Sequence, residues 1–220
     1  MDTGRAQAQV HAESGAAWRP TPEMIENSRL KQLSDRAGVG GYQELLTWAA
    51  ADPARYWSTV DRDLDLAWHR PYSTVLNLDD GKPWARWWIE GGFNYVDTAL
   101  DRHIARGRGH RTAVIWEGDD GATRRLTFAG LAAETNRVAN ALRALDVGRG
   151  DRVGIFLPMM PETVMTVLAC GKLGAIYVPL FSGFGPEAVA SRLRDAEAKL
   201  LVTVLKRNGN PKIWSISIGK

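Results

Sequence analysis

The sequence predicts an α/β protein with a parallel sheet, and the order of its apolar segments carries this prediction. Three short apolar runs, 152–157, 175–180 and 200–204, have the length and composition of buried strands. Helical patterns over 161–174 and from Pro186 onward separate these runs. Because continuous apolar strands joined by helical crossovers form parallel sheets that are covered on both faces, we expect a βαβαβ unit here.

Each boundary of this unit has a local cause. Pro161 suits the first turn of a helix, and Gly174 can adopt the left-handed conformation that ends one. The glycine-rich loop 181–185 follows the second strand, at the carboxyl edge where α/β sheets bind ligands. The residues expected on the inner faces of the two helices are Val164, Val167, Leu168 and Gly171, then Val189, Leu193 and Ala196.

A β-hairpin and a long helix are expected before this unit. The hairpin pairs 112–117 with 124–128 across the turn 118–121. Asp119 and Asp120 could suggest a metal or acid–base site, but turn chemistry explains them, so no metal site is predicted. Thr127 can cap a helix over 129–145, whose inner face is expected to carry Leu131, Val138, Leu142 and Leu145.

The region from Trp18 to about Asn94 is expected to be irregular, with short helices. It holds seven of the nine tryptophans, and their uneven spacing favours anchoring of the segment over a carbohydrate-stacking platform. The helices are predicted at 21–34, 41–51, 53–60 and 95–105. Residues 1–17 are small and polar, so we expect a disordered tail.

Composition excludes several classes of function. A net charge of +3 is too small to predict nucleic-acid binding, and the basic run 102–111 is expected to be a solvated helix end and loop. The lone Cys170 is expected to be a buried, inert thiol. No segment has the length of a membrane span or the apolar core of a secretion signal, so a cytoplasmic location is the default expectation.

Several segments, in order, resemble a known family. The core segments are GDRVGIFLPMMPE (150–162), LACGKLGAIYVPLFSGF (168–184) and GPEAVASRLRDA (185–196). They resemble the early core of AMP-forming acyl-CoA synthetases, members of the adenylate-forming superfamily. The acetyl-CoA synthetase branch is favoured by DPARYW (52–57), WHRPY (68–72), WWIEGGFNY (87–95), LDRH (100–103) and AVIWEGDDG (113–121). The resemblance runs from about Trp18 to Val204.

This resemblance implies a domain plan and a reaction. Residues 18–100 would form the tryptophan-rich, mostly helical N-terminal extension, and 101–204 would begin the AMP-binding core, which is truncated. The family joins a short carboxylic acid to ATP with Mg2+, releases pyrophosphate, and passes the acyl group to coenzyme A. The resemblance also implies a phosphate loop for ATP, an adenine pocket and a C-terminal domain with a catalytic lysine, none of which lies within these 220 residues. We therefore assign no catalytic residue and expect no activity from these residues alone.

Two residues are candidates for weak coenzyme A binding. The resemblance places the loop around Gly183 beside the coenzyme A site, where a glycine lets backbone approach a ligand. Lys206 and Arg207 echo a basic loop of the family that would meet coenzyme A phosphates. A tight turn at Gly183 and a solvated charge at Arg207 are the structural alternatives.

The segment 205–220 diverges from the family pattern. From Lys212 onward no resemblance remains, although WSISI alternates as a strand does. A frameshifted or prematurely stopped reading frame would produce such an ending, which is a hypothesis that the downstream DNA tests.

Two other functions stay open from the residues alone. Residues 183–188 fit the dinucleotide fingerprint G-x-G-x-x-[GA]. The fingerprint also expects an acidic residue about twenty residues later, but residues 205–207 are Leu, Lys and Arg. The other alternative is non-catalytic: an interaction protein, or one half of a split enzyme. A second chain would then supply the rest of the synthetase. Strands left open at a sheet edge also predict self-association.

Overall fold

The computed structural model describes residues 17–207 and 210–217, with side chains as far as Val204. Of the predicted tail 1–17, only Ala17 is among the described residues. The side chain of Arg207 also lies outside them. The helices are α1 Pro22–Glu26, α2 Arg29–Ala37, α3 Tyr42–Ala51, α4 Pro53–Leu64, α5 Arg102–Ala105, α6 Phe128–Ala144, α7 Pro161–Leu173 and α8 Pro186–Asp195. A 3-10 turn spans Lys82–Trp84 and a π-helix spans Asp97–Asp101.

The strands form one four-stranded sheet and three two-stranded ones. They are β1 Trp68–Arg70, β2 Thr74–Asn77, β3 Arg86–Ile89, β4 Gly92–Phe93, β5 Thr112–Glu117, β6 Thr123–Thr127, β7 Arg152–Phe156, β8 Ile176–Pro179, β9 Leu200–Arg207 and β10 Asn210–Ser217. The chain divides into two compact units. The first holds α1–α4, β2 and β3, and the second holds β1, β4 and the chain from Gly91 onward.

The first unit is more regular than its sequence predicts. The single helix expected over 21–34 is two helices, because Ser28 caps α2 by accepting a hydrogen bond from the Lys31 amide at 3.0 Å. Helix α4 runs four residues past the predicted end and stops at Asp65, which has a left-handed φ of 50°. Strands β2 and β3 also form a hairpin where the sequence predicts irregular structure.

Four tryptophans of the first unit, Trp48, Trp57, Trp87 and Trp88, contact other aromatic rings. Trp48 meets Tyr56 at 6.1 Å between ring centroids, and Trp57 meets Trp87 at 6.2 Å. Trp18 and Trp84 are 68% and 71% exposed, so the anchoring prediction is wrong for these two side chains.

The second unit contains the predicted parallel sheet. Its strand order is β10-β9-β7-β8, and β7 pairs in parallel with both β8 and β9. Helices α7 and α8 make the two crossovers, so the βαβαβ prediction is confirmed. The predicted C-terminal strand is β10, which pairs antiparallel with β9 along eight residue pairs.

The core of this unit lies between the sheet and helices α6 and α7. Val153 and Leu200 are 0% and 1% exposed, and they pack with Ala169 and Cys170 of α7, both 0% exposed. Burial raises the pKa of the Cys170 thiol to about 11. The thiol is therefore protonated at neutral pH, as expected of an inert, buried cysteine.

Three predictions about buried positions are wrong. Val164 is 37% exposed, because α7 contributes to the sheet cluster with Ala169 on one side and to the Val96 cluster with Met165 on the other, which leaves Val164 outside both. Leu145 is 40% exposed, because it lies past the last turn of α6 as its C-cap residue. Strand β8 was expected to be covered on both faces, yet Ile176 is 53% exposed. The reason is position, since β8 is an edge strand of the sheet.

The hairpin of β5 and β6 has the predicted turn, and it is bound to the loop after β7. The Asp120 carboxylate accepts a hydrogen bond from the Ala122 amide at 3.0 Å, which is turn chemistry as expected. The Trp116 indole donates to the Met159 carbonyl at 2.7 Å, and Arg124 pairs with Glu162 at 2.7 Å. The hairpin thus holds the carboxyl side of β7 in place.

The remaining local predictions for the second unit agree with the structure. The Thr127 hydroxyl accepts from the Gly130 amide at 3.1 Å and caps α6. The basic run 102–111 is mostly exposed after Ile104. Across the described part of the chain, no helix is both long enough and apolar enough to cross a bilayer.

Candidate functional site

The loop 181–185 lies at the carboxyl end of β8, as the sequence predicts. Leu180 fixes its start, because this side chain is 4% exposed and its amide donates to the Ile155 carbonyl of β7 at 2.9 Å. Pro186 begins α8 directly after the loop, with Gly185 as the N-cap. The loop therefore joins an edge strand to a helix at the sheet edge where α/β proteins bind ligands.

Gly183 is crowded by the ring of its neighbour Phe181, and its own backbone conformation does not demand a glycine. A Cβ at position 183 would lie 2.6 Å from Cε1 of Phe181. The φ of Gly183 is outside the left-handed region, and the Phe184 amide closes the turn onto the Phe181 carbonyl at 2.9 Å. The glycine thus leaves room for a phenyl ring over the turn.

Two phenyl rings and one guanidinium group form the outer surface of this loop. Phe181 is 68% exposed and meets Phe184 edge-on, with 5.7 Å between the ring centroids. The guanidinium of Arg192 lies 4.2 Å from the Phe184 ring centroid and donates to the Ala188 carbonyl at 3.1 Å. Aromatic faces beside a fixed positive charge suit a ligand that has both a planar ring and anionic groups.

The sequence analysis includes Phe181 and Phe184 in the candidate loop but assigns a binding role only to Gly183, and it gives Arg192 no role. The phenylalanines flank the glycine that was singled out, so two aromatic residues in a loop were a usable signal. Arg192 lies two turns along α8, and only the fold brings its guanidinium back over Phe184.

Arg207, the second predicted site residue, ends β9 opposite Asn210. Strand β7 lies between β8 and β9, and all three run in the same direction. The backbone of Arg207 and the Gly183 loop thus leave the sheet at the same edge. The side chain of Arg207 lies outside the described residues, so its part in a site stays a prediction.

The second glycine of the dinucleotide fingerprint is Gly185, the N-cap residue of α8. Gly185 has φ −71° and ψ 166°, a conformation open to other residues. A Cβ at position 185 would meet no atom within 4 Å. The fingerprint uses this glycine for close approach of a ligand phosphate, and the protein's own residues do not require a glycine here.

No metal centre is found among the described residues. Over 17–207 and 210–217, no three His, Cys, Asp or Glu side chains lie close enough together to hold a metal ion. Asp119 and Asp120 in the hairpin turn remain turn residues.

Comparison with known families agrees with the resemblance in the motifs. A family model described as AMP-binding enzyme matches residues 100–216, and one described as acetyl-coenzyme A synthetase N-terminus matches residues 42–99. The first match covers more than half of the 220 residues.

The similar proteins are synthetases of coenzyme A thioesters. The chain is 38% identical to the 3-hydroxypropionyl-coenzyme A synthetase of Metallosphaera sedula over 82% of its own length and 28% of that protein. It is 44% identical to the acetyl-coenzyme A synthetase of Gemmatimonas aurantiaca over 70% of its length and 23% of that protein. The solved structure of acetoacetyl-CoA synthetase from Streptomyces lividans superposes with a TM-score of 0.78 at 27% identity, covering 88% of this chain and 31% of that one.

The chain thus spans about a quarter of the length of the curated relatives it matches. The matched regions, their order along the chain and the superposed fold all agree. The chain therefore belongs to the AMP-binding enzyme family, in which it corresponds to the N-terminal part of an acetyl-CoA synthetase-like enzyme.

Proposed function

We propose that this chain is the N-terminal part of an AMP-forming ligase that joins a short-chain acid, acetate by default, to coenzyme A. The observation that carries the proposal is the Phe181–Phe184–Arg192 surface at the carboxyl edge of the parallel sheet, in a chain of this family. The similar proteins are synthetases of acetyl-, 3-hydroxypropionyl- and acetoacetyl-coenzyme A, all with short acyl groups.

The proposed domain plan follows the motifs. Residues 18–100 are the N-terminal extension, 101–204 begin the adenylation core, and 205–220 are a divergent tail. In the complete enzyme, ATP would turn a poor leaving oxygen of the acid into a good one, which the thiol of coenzyme A then displaces.

The residues of this chain would contribute to binding rather than to bond making. Coenzyme A carries an adenine ring and several phosphates. The Phe181 and Phe184 rings offer apolar faces for a planar base, and Arg192 offers a positive charge. Among the described residues no acidic cluster would hold Mg2+, so these residues are assigned no part in binding that ion.

The 220 residues on their own are proposed to be inactive. Charge stabilisation by the missing phosphate loop and lysine is what phosphoryl and adenylyl transfer depend on. The experiment is acid-dependent exchange of pyrophosphate into ATP with the purified chain. We expect no exchange above that of a mock purification from the same host, and exchange that persists after removal of host synthetase would contradict the proposal.

Coenzyme A binding by calorimetry tests the site itself. We expect weak binding, well above micromolar dissociation constants, because only part of the family site is present. Gly183→Val should weaken it at least fivefold, since a side chain there displaces the Phe181 ring. Gly185→Ala is the matched control, because a Cβ at that position meets nothing. Submicromolar binding, or equal effects of the two variants, would overturn the assignment.

A second candidate is one half of a split enzyme. The exposed edge strand β8 favours this alternative, because it leaves a surface that a second chain can cover. Co-expression with the remaining part of a related synthetase should give a complex that co-elutes and exchanges pyrophosphate. Separate elution of the two proteins with no exchange would count against this candidate.

A further inference from the structure

The connections that follow the neighbouring strands β7 and β8 turn to opposite faces of the parallel sheet. Val153 of β7 packs with Ala169 of α7, the helix that follows β7. The next residue, Gly154, faces the other side of the sheet. That side is covered by α8, the helix that follows β8, because a Cβ at Gly154 would lie 2.5 Å from Cδ2 of Leu193. In open α/β sheets a ligand crevice forms where adjacent strands send their connections to opposite faces, so the crevice here lies between the loops that follow β7 and β8.

Hydrogen bonds fix the backbone of the loop after β7, which runs from Pro158 to Met160. The Trp116 indole donates to the Met159 carbonyl at 2.7 Å. The Thr163 hydroxyl donates to the Pro158 carbonyl at 2.7 Å, and the Thr163 amide donates to the Met160 carbonyl at 3.0 Å. All three carbonyls of the loop thus accept hydrogen bonds, and they hold its backbone in one position beside the crevice.

The side chain of Met159 projects from this fixed loop into solvent. It is 87% exposed, more than any other large hydrophobic side chain among the described residues, while Leu157 is 6% exposed. Ile155 of β7 is paired with Pro179 of β8. Two residues later on each strand, Leu157 and Phe181 therefore leave the sheet side by side. Met159 and the 68% exposed Phe181 thus provide apolar surface on the two loops that border the crevice.

We propose that Met159 is the residue of this crevice that contacts the uncharged pantetheine arm of coenzyme A. The inference rests on the proposed function, to which it adds a residue and a part of the ligand. Coenzyme A joins a charged nucleotide to a flexible chain of methyl, methylene and amide groups. The Phe181–Phe184–Arg192 surface offers rings and a positive charge, which suit the nucleotide. Met159 offers neither, and its unbranched thioether adapts to an irregular aliphatic chain.

The test follows the methyl group of Met159 by NMR in the full 220-residue chain labelled with [methyl-13C]methionine, and Met159→Leu assigns the signal. We expect this signal to shift saturably with coenzyme A and with pantetheine. Adenosine 3′,5′-bisphosphate has the base and phosphates of the nucleotide without the arm, and it should shift the signal at least threefold less. The methyl signal of Met24 is the control, because Met24 is 51% exposed on α1 of the first unit and should not move.

The outcomes separate this inference from the proposed function. Calorimetric binding of coenzyme A with an unmoved Met159 signal would overturn the inference and leave the proposed function standing. Equal shifts with coenzyme A and with the bisphosphate would assign Met159 to the nucleotide part, which also overturns the inference. Absence of binding by both ligands would remove the proposed coenzyme A site and the inference together.

Variants test the same contact through affinity. Met159→Ser should weaken coenzyme A binding at least threefold and leave binding of the bisphosphate within about 1.5-fold, because only the arm loses an apolar contact. Gly183→Val should weaken both ligands, since it displaces the Phe181 ring. Met24→Ser is the matched control for loss of an exposed methionine. Equal affinities of Met159→Ser and Met24→Ser for coenzyme A would contradict the inference.

Discussion

The ring of Tyr95 fills the space that a side chain at Gly171 would occupy. A Cβ at position 171 would lie 2.6 Å from Cε1 of this ring. The Tyr95 hydroxyl also donates to the Val167 carbonyl at 3.0 Å. The side-chain amide of Asn94 donates to the Gly171 carbonyl at 2.8 Å. The segment before the π-helix thus packs against α7 at Gly171 and is hydrogen-bonded to that helix.

Gly171→Ala should therefore destabilise the chain although alanine is the better helix former. Relief of the glycine penalty is worth about 1 kcal/mol, while displacing a packed ring costs about 1–3 kcal/mol. We expect a net loss, measured by urea unfolding. Gly130→Ala in α6 is the matched control, since its Cβ would meet only Thr127 Oγ1 at an ordinary 3.4 Å. A gain in stability from both variants would show that Tyr95 is free to move.

Two buried threonines should respond in opposite directions to replacement by valine. Thr135 and Thr166 are both 0% exposed. The Thr166 hydroxyl donates to the Glu162 carbonyl at 2.7 Å, whereas Thr135 Oγ1 has no hydrogen-bond partner among the described residues. Thr166→Val should cost about 1 kcal/mol, and Thr135→Val should be neutral or stabilising. Chemical denaturation of the two variants measures both changes in the free energy of unfolding. Equal losses of stability would contradict the difference in hydrogen bonding between the two threonines.

How far the sequence predicts this fold depends on the length of each element. The three parallel strands and the two crossover helices were predicted, because their signals are local in the sequence. These signals are the apolar runs of the strands, Pro161 at a helix start and Gly174 at a helix end. Strands β1–β4 have two to four residues each, too short to show a period. Trp88, with its left-handed φ, further breaks the alternation by which β3 could be recognised.

The candidate site was predicted only in part, for a different reason. Gly183 and the loop position follow from strand order and from the family motifs. The contact between Gly183 and the Phe181 ring, and the position of Arg192 over the Phe184 ring, are contacts made across a turn and a helix. No spacing rule in one sequence specifies them.

Acid should destabilise the chain partly through Asp151. Its carboxylate accepts from the Gly148 amide at 2.8 Å and pairs with Lys199 at 3.2 Å, and these contacts, the amide first, lower the pKa of Asp151. A lowered folded-state pKa gives stability that is present above the unfolded value, about 3.9, and lost as pH falls through the folded value. Asp151→Asn should therefore flatten the fall in stability below about pH 5.

Urea midpoints at pH 7 and at successively lower pH measure this slope. Asp119→Asn, in the exposed hairpin turn, is the control for the change in net charge. A slope for Asp151→Asn as steep as that of the parent chain would mean that the Gly148 and Lys199 contacts do not persist in solution.

The open edge of the parallel sheet is β8. On the opposite side, β10 pairs with β9 along eight residue pairs and covers that edge among the described strands. Among the described strands β8 bonds only to β7, and Ile176 and Tyr177 are 53% and 41% exposed. Unpaired backbone groups beside exposed apolar side chains are a template for edge-to-edge pairing.

We therefore expect the 220-residue chain to self-associate through β8 at micromolar concentration, or to need a partner that covers this strand. Ile176→Lys should raise the monomer fraction, because a charged side chain on an edge strand opposes pairing. Ile115→Lys is the matched control, since Ile115 is 62% exposed on the hairpin strand β5, outside this sheet. Size exclusion with light scattering measures the effect. A parent chain that is already a clean monomer with one sharp melting transition, or equal effects of both lysine variants, would show that β8 does not drive association.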